Sequence, residues 1–195
     1  GDSVDKIEKK SSKSPIRKIK NISEMDRAGV IVRPGDWIVF DIDQTVLREG
    51  RAFNQEVLNL DPKVVEMVKD WQVLNTTEVN PQKHITIIFL TARSFAREEA
   101  TKEQLKKAGF PENIEIIFAP NDRRSGAKTS TKGNALIQRL EKAQVKPHRI
   151  IMIDDLKENL MDVYNSLQNN ETHRHLLKSL KLLKRKFQNC WSENR

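Results

Sequence analysis

Two carboxylates one residue apart, Asp41 and Asp43, follow the apolar run Trp37-Ile-Val-Phe40 and precede a hydroxyl at Thr45. An ionised carboxylate at the end of a buried strand is costly unless a proton or a cation offsets its charge. Acids in that position suggest a catalytic site. Three more pieces of similar character occur later. Thr91 closes Ile85-Thr-Ile-Ile-Phe-Leu90, Lys132 opens the segment Lys132-Gly-Asn-Ala-Leu, and Asp154-Asp155 close Ile150-Ile-Met-Ile153. Several acids alone repel one another and any anionic substrate. A Mg²⁺ ion held by a few oxygen ligands removes that repulsion and also binds a phosphate oxygen. Lys132 and the Thr91 hydroxyl would add donors to the remaining phosphoryl oxygens. The set suits phosphoryl transfer, where positioning and charge neutralisation carry most of the catalysis.

For these residues to converge, the elements that carry them must end at the same place. The uninterrupted apolar runs 37–40, 85–90, 114–118 and 150–153 read as strands buried on both faces, as in a parallel sheet. Between them, Asp61-Pro62 looks like an N-cap followed by proline, and Val64, Val68 and Trp71 keep helical spacing to about Leu74. Ser94 can cap a helix through Leu105 and Ala108, which Gly109 and Pro111 close. A polar, basic loop spans Ala119–Thr131, and Lys132 begins a helix that stops before Pro147. Leu156, Leu160, Val163, Tyr164 and Leu167 mark one more helix. Strand–helix alternation implies an α/β fold, a Rossmann-like three-layer sandwich with a mainly parallel sheet. Parallel strands point their carboxyl ends the same way, where open α/β sheets hold ligands. A further strand after Asp155 is not evident; Val30-Ile-Val32 is the candidate for an edge strand.

The 195 residues carry a net charge of +8, concentrated in the ends. Residues 1–20 hold seven Lys/Arg against three acids, and residues 171–195 hold seven against two, so the middle is nearly neutral at −1. Residues 1–20 read as a basic flexible tail too polar to bury a core. Residues 21–170 read as the catalytic domain, and 171–195 as a basic amphipathic helix that either packs on it or leads toward a further domain. Within it Leu176, Leu180, Leu183 and Phe187 would share one face, so residues 173–187 are a candidate contact for an anionic membrane surface. No run of about 18 apolar residues occurs, so no membrane-spanning helix is expected. Cys190 is the only cysteine, which rules out an intrachain disulfide and is compatible with a reducing compartment. The start Gly1-Asp2-Ser3, without a Met, reads as the scar of a cleaved fragment.

The strings Asp41-Ile-Asp43-Gln-Thr45, Leu90-Thr91-Ala92-Arg93, Lys132 and Ile151-Met-Ile-Asp154-Asp155 resemble the four ordered motifs of the haloacid dehalogenase superfamily. The resemblance runs from about Trp37 to Leu167. It implies that Asp41 is a nucleophile forming a phosphoaspartate, and that Asp43 gives and takes the proton. It also implies that Thr91, Ala92 and Lys132 bind the substrate phosphate. Asp41, Asp154, Asp155 and the main-chain carbonyl of Asp43 would hold Mg²⁺. Lys128 is the alternative to Lys132. Dehalogenase-type members lack the second Asp, so Asp43 favours phosphatase or phosphotransferase chemistry.

The intervals between motifs leave no room for a cap domain, so the site is expected to be open and the substrate to be a phosphorylated macromolecule. The chain looks similar to capless phosphatases among secreted effectors of intracellular bacteria, which implies a phosphoprotein, with a lean to phosphotyrosine, in a host cytoplasm. Two alternatives stand beside this. A nucleic-acid end could be the substrate, served by Arg123, Arg124 and Lys128 with Phe53 or Phe95 for stacking. Or the domain could be a catalytically idle scaffold whose basic ends bind a membrane or partner.

Overall fold

The run that carries the first acids forms strand β2 (Asp36–Phe40), every residue of which is buried. The computed structural model of the chain describes residues 14–48, 58–124 and 126–186. In chain order, β1 (Ile16–Ile19) precedes β2, which leads into two short strands, β3 (Leu47–Arg48) and β4 (Leu58–Asn59). Helix α1 (Pro62–Thr77) and strand β5 (Thr86–Thr91) follow, then α2 (Glu98–Lys107) and β6 (Glu115–Phe118). The described residues continue with α3 (Lys132–Lys142), β7 (Arg149–Asp154), α4 (Lys157–Gln168) and β8 (Lys181–Arg185).

Six strands form one sheet in the order β1-β8-β7-β2-β5-β6. Every neighbouring pair is parallel. Successive residues of a strand point to opposite faces, and both faces here are apolar. Ile38, Phe40, Ile87, Phe89, Ile151 and Ile153 pack with Val64, Val68 and Trp71 of α1 and Leu105 of α2. Trp37, Val39, Ile88, Leu90, Ile150 and Met152 pack with Leu136 and Leu140 of α3 and Leu160, Val163 and Leu167 of α4. The result is the three-layer α/β sandwich read from the alternation of elements. Among the described residues no cap-sized insertion separates β2 from β5 or β5 from α3, and no helix is long and apolar enough to cross a membrane.

The order of the strands decides where a site can form. From β2 the chain proceeds to β5 and β6 on one side, then crosses back to β7 on the other. Chain segments leaving the carboxyl ends of β2 and β7 therefore diverge, which opens a crevice at the switch point of the sheet. At the opposite end, Asp36 accepts from Arg149 Nη2 at 2.6 Å and from the Arg33 N–H at 2.8 Å. That buried pair ties the starts of β2 and β7 together.

Both ends of the chain depart from expectation. Over 173–186, the described part of the expected stretch 173–187, no amphipathic helix forms: Arg174–Lys178 is a single 3₁₀ segment and Lys181–Arg185 is strand β8. The reason lies in β7. Its residues from Ile150 to Asp154 are buried, and without a neighbour on that side its backbone donors and acceptors would be orphaned. Strand β8 supplies them, burying Leu182 on one face and Leu183 on the other. The helix on which a membrane contact was expected is therefore not formed, and its apolar residues Leu176, Leu182 and Leu183 are inside the protein.

Ile16–Ile19, expected within a flexible tail, pairs with β8 instead, with Ile19 buried and Arg17 and Lys18 exposed. Basic side chains on an edge strand are a common guard against unwanted pairing. Val30-Ile-Val32 forms no strand. The remainder of the expected tail (1–13), residues 49–57 including Phe53, and residues 187–195 with Cys190 lie outside the described residues.

Adjacent residues buried on opposite faces are diagnostic of a strand. Leu182→Ala and Leu183→Ala are each expected to lower stability by roughly 2–5 kcal/mol in urea unfolding. A loss at only one of the two positions is the result that a half-buried helix would give.

Candidate active site

Asp41 is the first residue past β2, and its N–H still donates to the Ile153 carbonyl of β7 at 2.9 Å. The sheet thus fixes its backbone from the side where Asp154 lies. Beyond it the chain turns tightly, with the N–H groups of Thr45, Val46 and Leu47 all reaching back to the Ile42 carbonyl at 3.2, 3.0 and 3.0 Å. Gln44 sits within this turn at φ +62°, a left-handed conformation that costs a non-glycine residue energy. The turn brings the Thr45 hydroxyl back onto Asp41, where it donates to Oδ2 at 2.8 Å.

Lys132 is the first residue of α3 and is wholly buried. Its ammonium donates to Asp41 Oδ1 at 2.8 Å and to Asp154 Oδ2 at 2.7 Å. Burial alone would lower its pKa, but the two carboxylates outweigh burial and raise it, so the group stays charged. The close seating of α3 on α4 makes this reach available. Gly133 donates its N–H to Asp162 Oδ2 at 2.7 Å, and a Cβ there would come within 2.1 Å of Ser166 Oγ.

Asp154, fully buried at the end of β7, is enclosed by donors. Oδ1 accepts from Leu156 N at 2.9 Å and Asn159 Nδ2 at 3.1 Å, while Oδ2 accepts from Lys132 and, at 3.2 Å, from the same Asn159 amide. Burial and the charge of Asp41 nevertheless hold its pKa above the ordinary carboxyl value. Asp155 is half-buried beside it. Burial first, then a hydrogen bond to Asp41 and the charges of Asp41 and Asp154, push its pKa up to about 9.

Asp41, Asp154 and Asp155 each offer an oxygen within 4.8 Å of the others. Three ionised carboxylates against one ammonium leave two negative charges, which a divalent cation would balance. The all-oxygen donor set suits a hard cation such as Mg²⁺. Since the four lone-pair sites of Asp154 already receive donors, Asp41 and Asp155 have the freer oxygens for such an ion.

The carboxylate of Asp43 lies outside this trio. It takes a two-pronged bond from Arg93, with Nε donating to Oδ2 at 3.0 Å and Nη2 to Oδ1 at 2.8 Å. Arg93 is buried, and its Nη1 donates to Thr101 Oγ1 at 3.0 Å and Gln104 Oε1 at 2.7 Å on α2. Thr91, also buried, ends β5 and accepts the Arg93 N–H at 3.1 Å. Ala92 follows it, half-buried. Lys128 is exposed on its loop, so Lys132 and not Lys128 meets the acids.

Arg93 and Asn159 were missed in the sequence. The signal for Arg93 was its place two residues after Thr91; that for Asn159 was its place one helical turn beyond Asp155. Arg185 was missed too, since its strand was not expected. Its buried guanidinium lies 3.5 Å from the carbonyls of Gln44 and Leu60, and burial lowers its pKa.

Residues 127–190, about a third of the chain, match the family described as Protein of unknown function (DUF2608). No curated relative matches the chain. Among solved structures, two chains from Pnkp1/Rnl/Hen1 RNA repair complexes are similar at 17% and 16% identity, with TM-scores of 0.43 and 0.46 over 80% of this chain. This chain spans only 44% and 47% of their length. A class C acid phosphatase from Bacillus anthracis with tungstate bound is similar at 14% identity and a TM-score of 0.39, over 86% of this chain and 73% of that one. Likeness at this level assigns neither activity nor substrate.

The Asp155 proton gives the site a pH signature. A carboxyl whose folded value is raised contributes stability below its ordinary value of 3.8, and that contribution is lost as pH rises through about 9. A cation that takes the place of the proton reverses the loss. In thermal melts, Mg²⁺ is expected to raise the melting temperature over an EDTA-treated sample more at pH 8 than at pH 5. An equal shift at both values would mean that the acid trio does not bind the ion.

Proposed function

We propose that the chain is a divalent-cation-dependent phosphatase that cleaves phosphomonoesters through a phosphoaspartate on Asp41. One observation carries this reading: a buried ammonium joins Asp41 to Asp154 at the switch point of a parallel sheet, with Asp155 near enough to share a cation. A carboxylate held there by Thr45 and Lys132 is fixed in orientation, as a nucleophile must be. The bound cation would supply charge neutralisation to the phosphoryl oxygens.

The chain's own groups do the rest. An oxygen of Asp41 attacks phosphorus, the bond to the leaving oxygen breaks, and that oxygen takes the proton of Asp43. Lys132 and the hydroxyl of Thr91 offset charge on the phosphoryl oxygens. Water then attacks phosphorus, Asp43 takes its proton, and the bond to Asp41 breaks to release inorganic phosphate. In both half-reactions Asp43 must reach the reacting oxygen while Arg93 holds it. The ionised Asp43 that accepts the proton from water is the form best matched to the two prongs of Arg93.

The lack of a cap-sized insertion among the described residues supports phosphate on a macromolecule, and we take a phosphoprotein, with phosphotyrosine foremost, as the substrate class. A nucleic-acid end would use the same chemistry. On the loop expected to serve it, Arg124 is tied to Asp122 at 3.1 Å, which leaves Arg123 and Lys128 for phosphates.

Asp41→Asn is expected to remove hydrolysis of a generic aryl phosphate by at least about 10³-fold with an unchanged circular dichroism spectrum. EDTA should stop the wild-type reaction and Mg²⁺ restore it. Turnover by the Asn variant at the wild-type rate would sink the mechanism.

A further inference from the structure

A groove of about 560 Å³ shares one residue, Asp155, with the acid trio. It is lined by Asp155, Leu156, Lys157 and Glu158 at the start of α4, by Lys184 of β8, and by Ser14, Ile16 and Lys18 at β1. It exists because the two ends of the chain were drawn into the sheet. Lys18 and Lys184 are register partners on neighbouring parallel strands, and both point to the face that carries α4. Like charges set opposite one another on adjacent strands work against pairing.

Four surface lysines have a carboxylate partner, in the pairs Lys69–Glu66, Lys102–Glu98, Lys106–Glu112 and Lys107–Glu103. Around the groove none of Lys18, Lys157 and Lys184 has a carboxylate partner among the described residues. Three unmatched ammonium groups beside a phosphoryl-transfer site are complementary to an anionic extension of the substrate.

We propose that this groove binds the polypeptide flanking the phosphorylated residue and selects acidic side chains there. The proposal rests on the phosphatase reading above and names its substrate class. Peptide is favoured over nucleic acid by what else lines the groove. Leu156, 49% exposed, and Ile16 present apolar surface that suits a polypeptide. No aromatic ring lines it to stack a base.

The reach of the groove sets the position of the acids. From β2, which leads to Asp41, to β1, which carries Lys18, are three strand spacings, on the order of 14 Å. An extended peptide covers that in about four residues. Acidic residues one to four positions to one side of the phosphorylated residue would meet Lys184 and then Lys18.

The test is a set of phosphotyrosine peptides with Asp or Glu at those positions, on either side, against alanine versions. End-phosphorylated oligonucleotides are run beside them, with wild type and the Lys18→Glu/Lys184→Glu double variant. Wild type is expected to prefer the acidic peptides on one side about tenfold in kcat/KM, through KM, and the double variant to lose or reverse that preference. Wild type that ignores the acids, or a variant that keeps the preference, overturns the proposal. So does a lysine-dependent preference for the oligonucleotides, which would make the groove a nucleic-acid surface. Hydrolysis of a small aryl phosphate, too short to reach Lys18, reports the phosphatase reading separately. If it fails in wild type, fluorescence anisotropy of the labelled peptides still decides the groove. Tighter binding of acidic peptides by wild type than by the variant supports it, and equal binding overturns it.

Discussion

The ammonium of Lys132, buried between Asp41 and Asp154, is the interaction on which the rest of this site depends. Two carboxylates brought together at neighbouring strand ends would repel each other in a medium that screens poorly. One shared cation turns that repulsion into a fixed geometry, and removing a partner from such a buried cluster typically costs about 3–5 kcal/mol. The condition reaches far into the fold. Asp41 and Asp154 are adjacent only because β7 returns to the far side of β2. Lys132 reaches them only because α3 seats closely on α4 at Gly133. Asp154 keeps its orientation through Leu156 and Asn159, which belong to the approach and first turn of α4.

The two acids of the first motif are separated by environment although one residue lies between them. Asp41 faces a hydroxyl and an ammonium and has a second cluster of acids beside it. Asp43 faces Arg93, which α2 holds through Thr101 and Gln104. Period-two geometry would put both on one face of a strand; the tight turn at Ile42–Leu47, with Gln44 left-handed, gives each its own partner instead. The local strain at Gln44 is therefore tied to the separation of the two acids.

Much of this was legible in the sequence, for a definite reason. β2, β5 and β7 are buried on both faces, so they appear as unbroken apolar runs, and their polar terminators mark the sites at their ends. Asp41, Thr91, Asp154 and Asp155 could be singled out that way, and Lys132 as the first residue of a helix. β8 could not, because Leu176, Leu180 and Leu183 also satisfy helical spacing, and short apolar stretches among lysines are ambiguous between periods. What decided it was the unmet hydrogen-bonding edge of β7, a demand from a strand more than 25 residues away in the chain. β1 was hidden for the same reason: its polar composition suits an edge strand as well as a tail. Arg93 and Asn159 were invisible as partners because their roles come from spatial neighbours, Asp43 at 50 residues' separation and Asp154 at five.

The central claim is that Asp41 takes up the phosphoryl group, and it can be read directly. Wild type and the Asp43→Asn variant, turning over an aryl phosphate in Mg²⁺, are quenched in acid, digested and weighed by mass spectrometry. The account predicts one added phosphoryl mass on the peptide containing Asp41, more abundant in the variant because the second step lacks its base, and removed by hydroxylamine as an acyl phosphate must be. Steady hydrolysis with Asp41 never modified in either protein would contradict it.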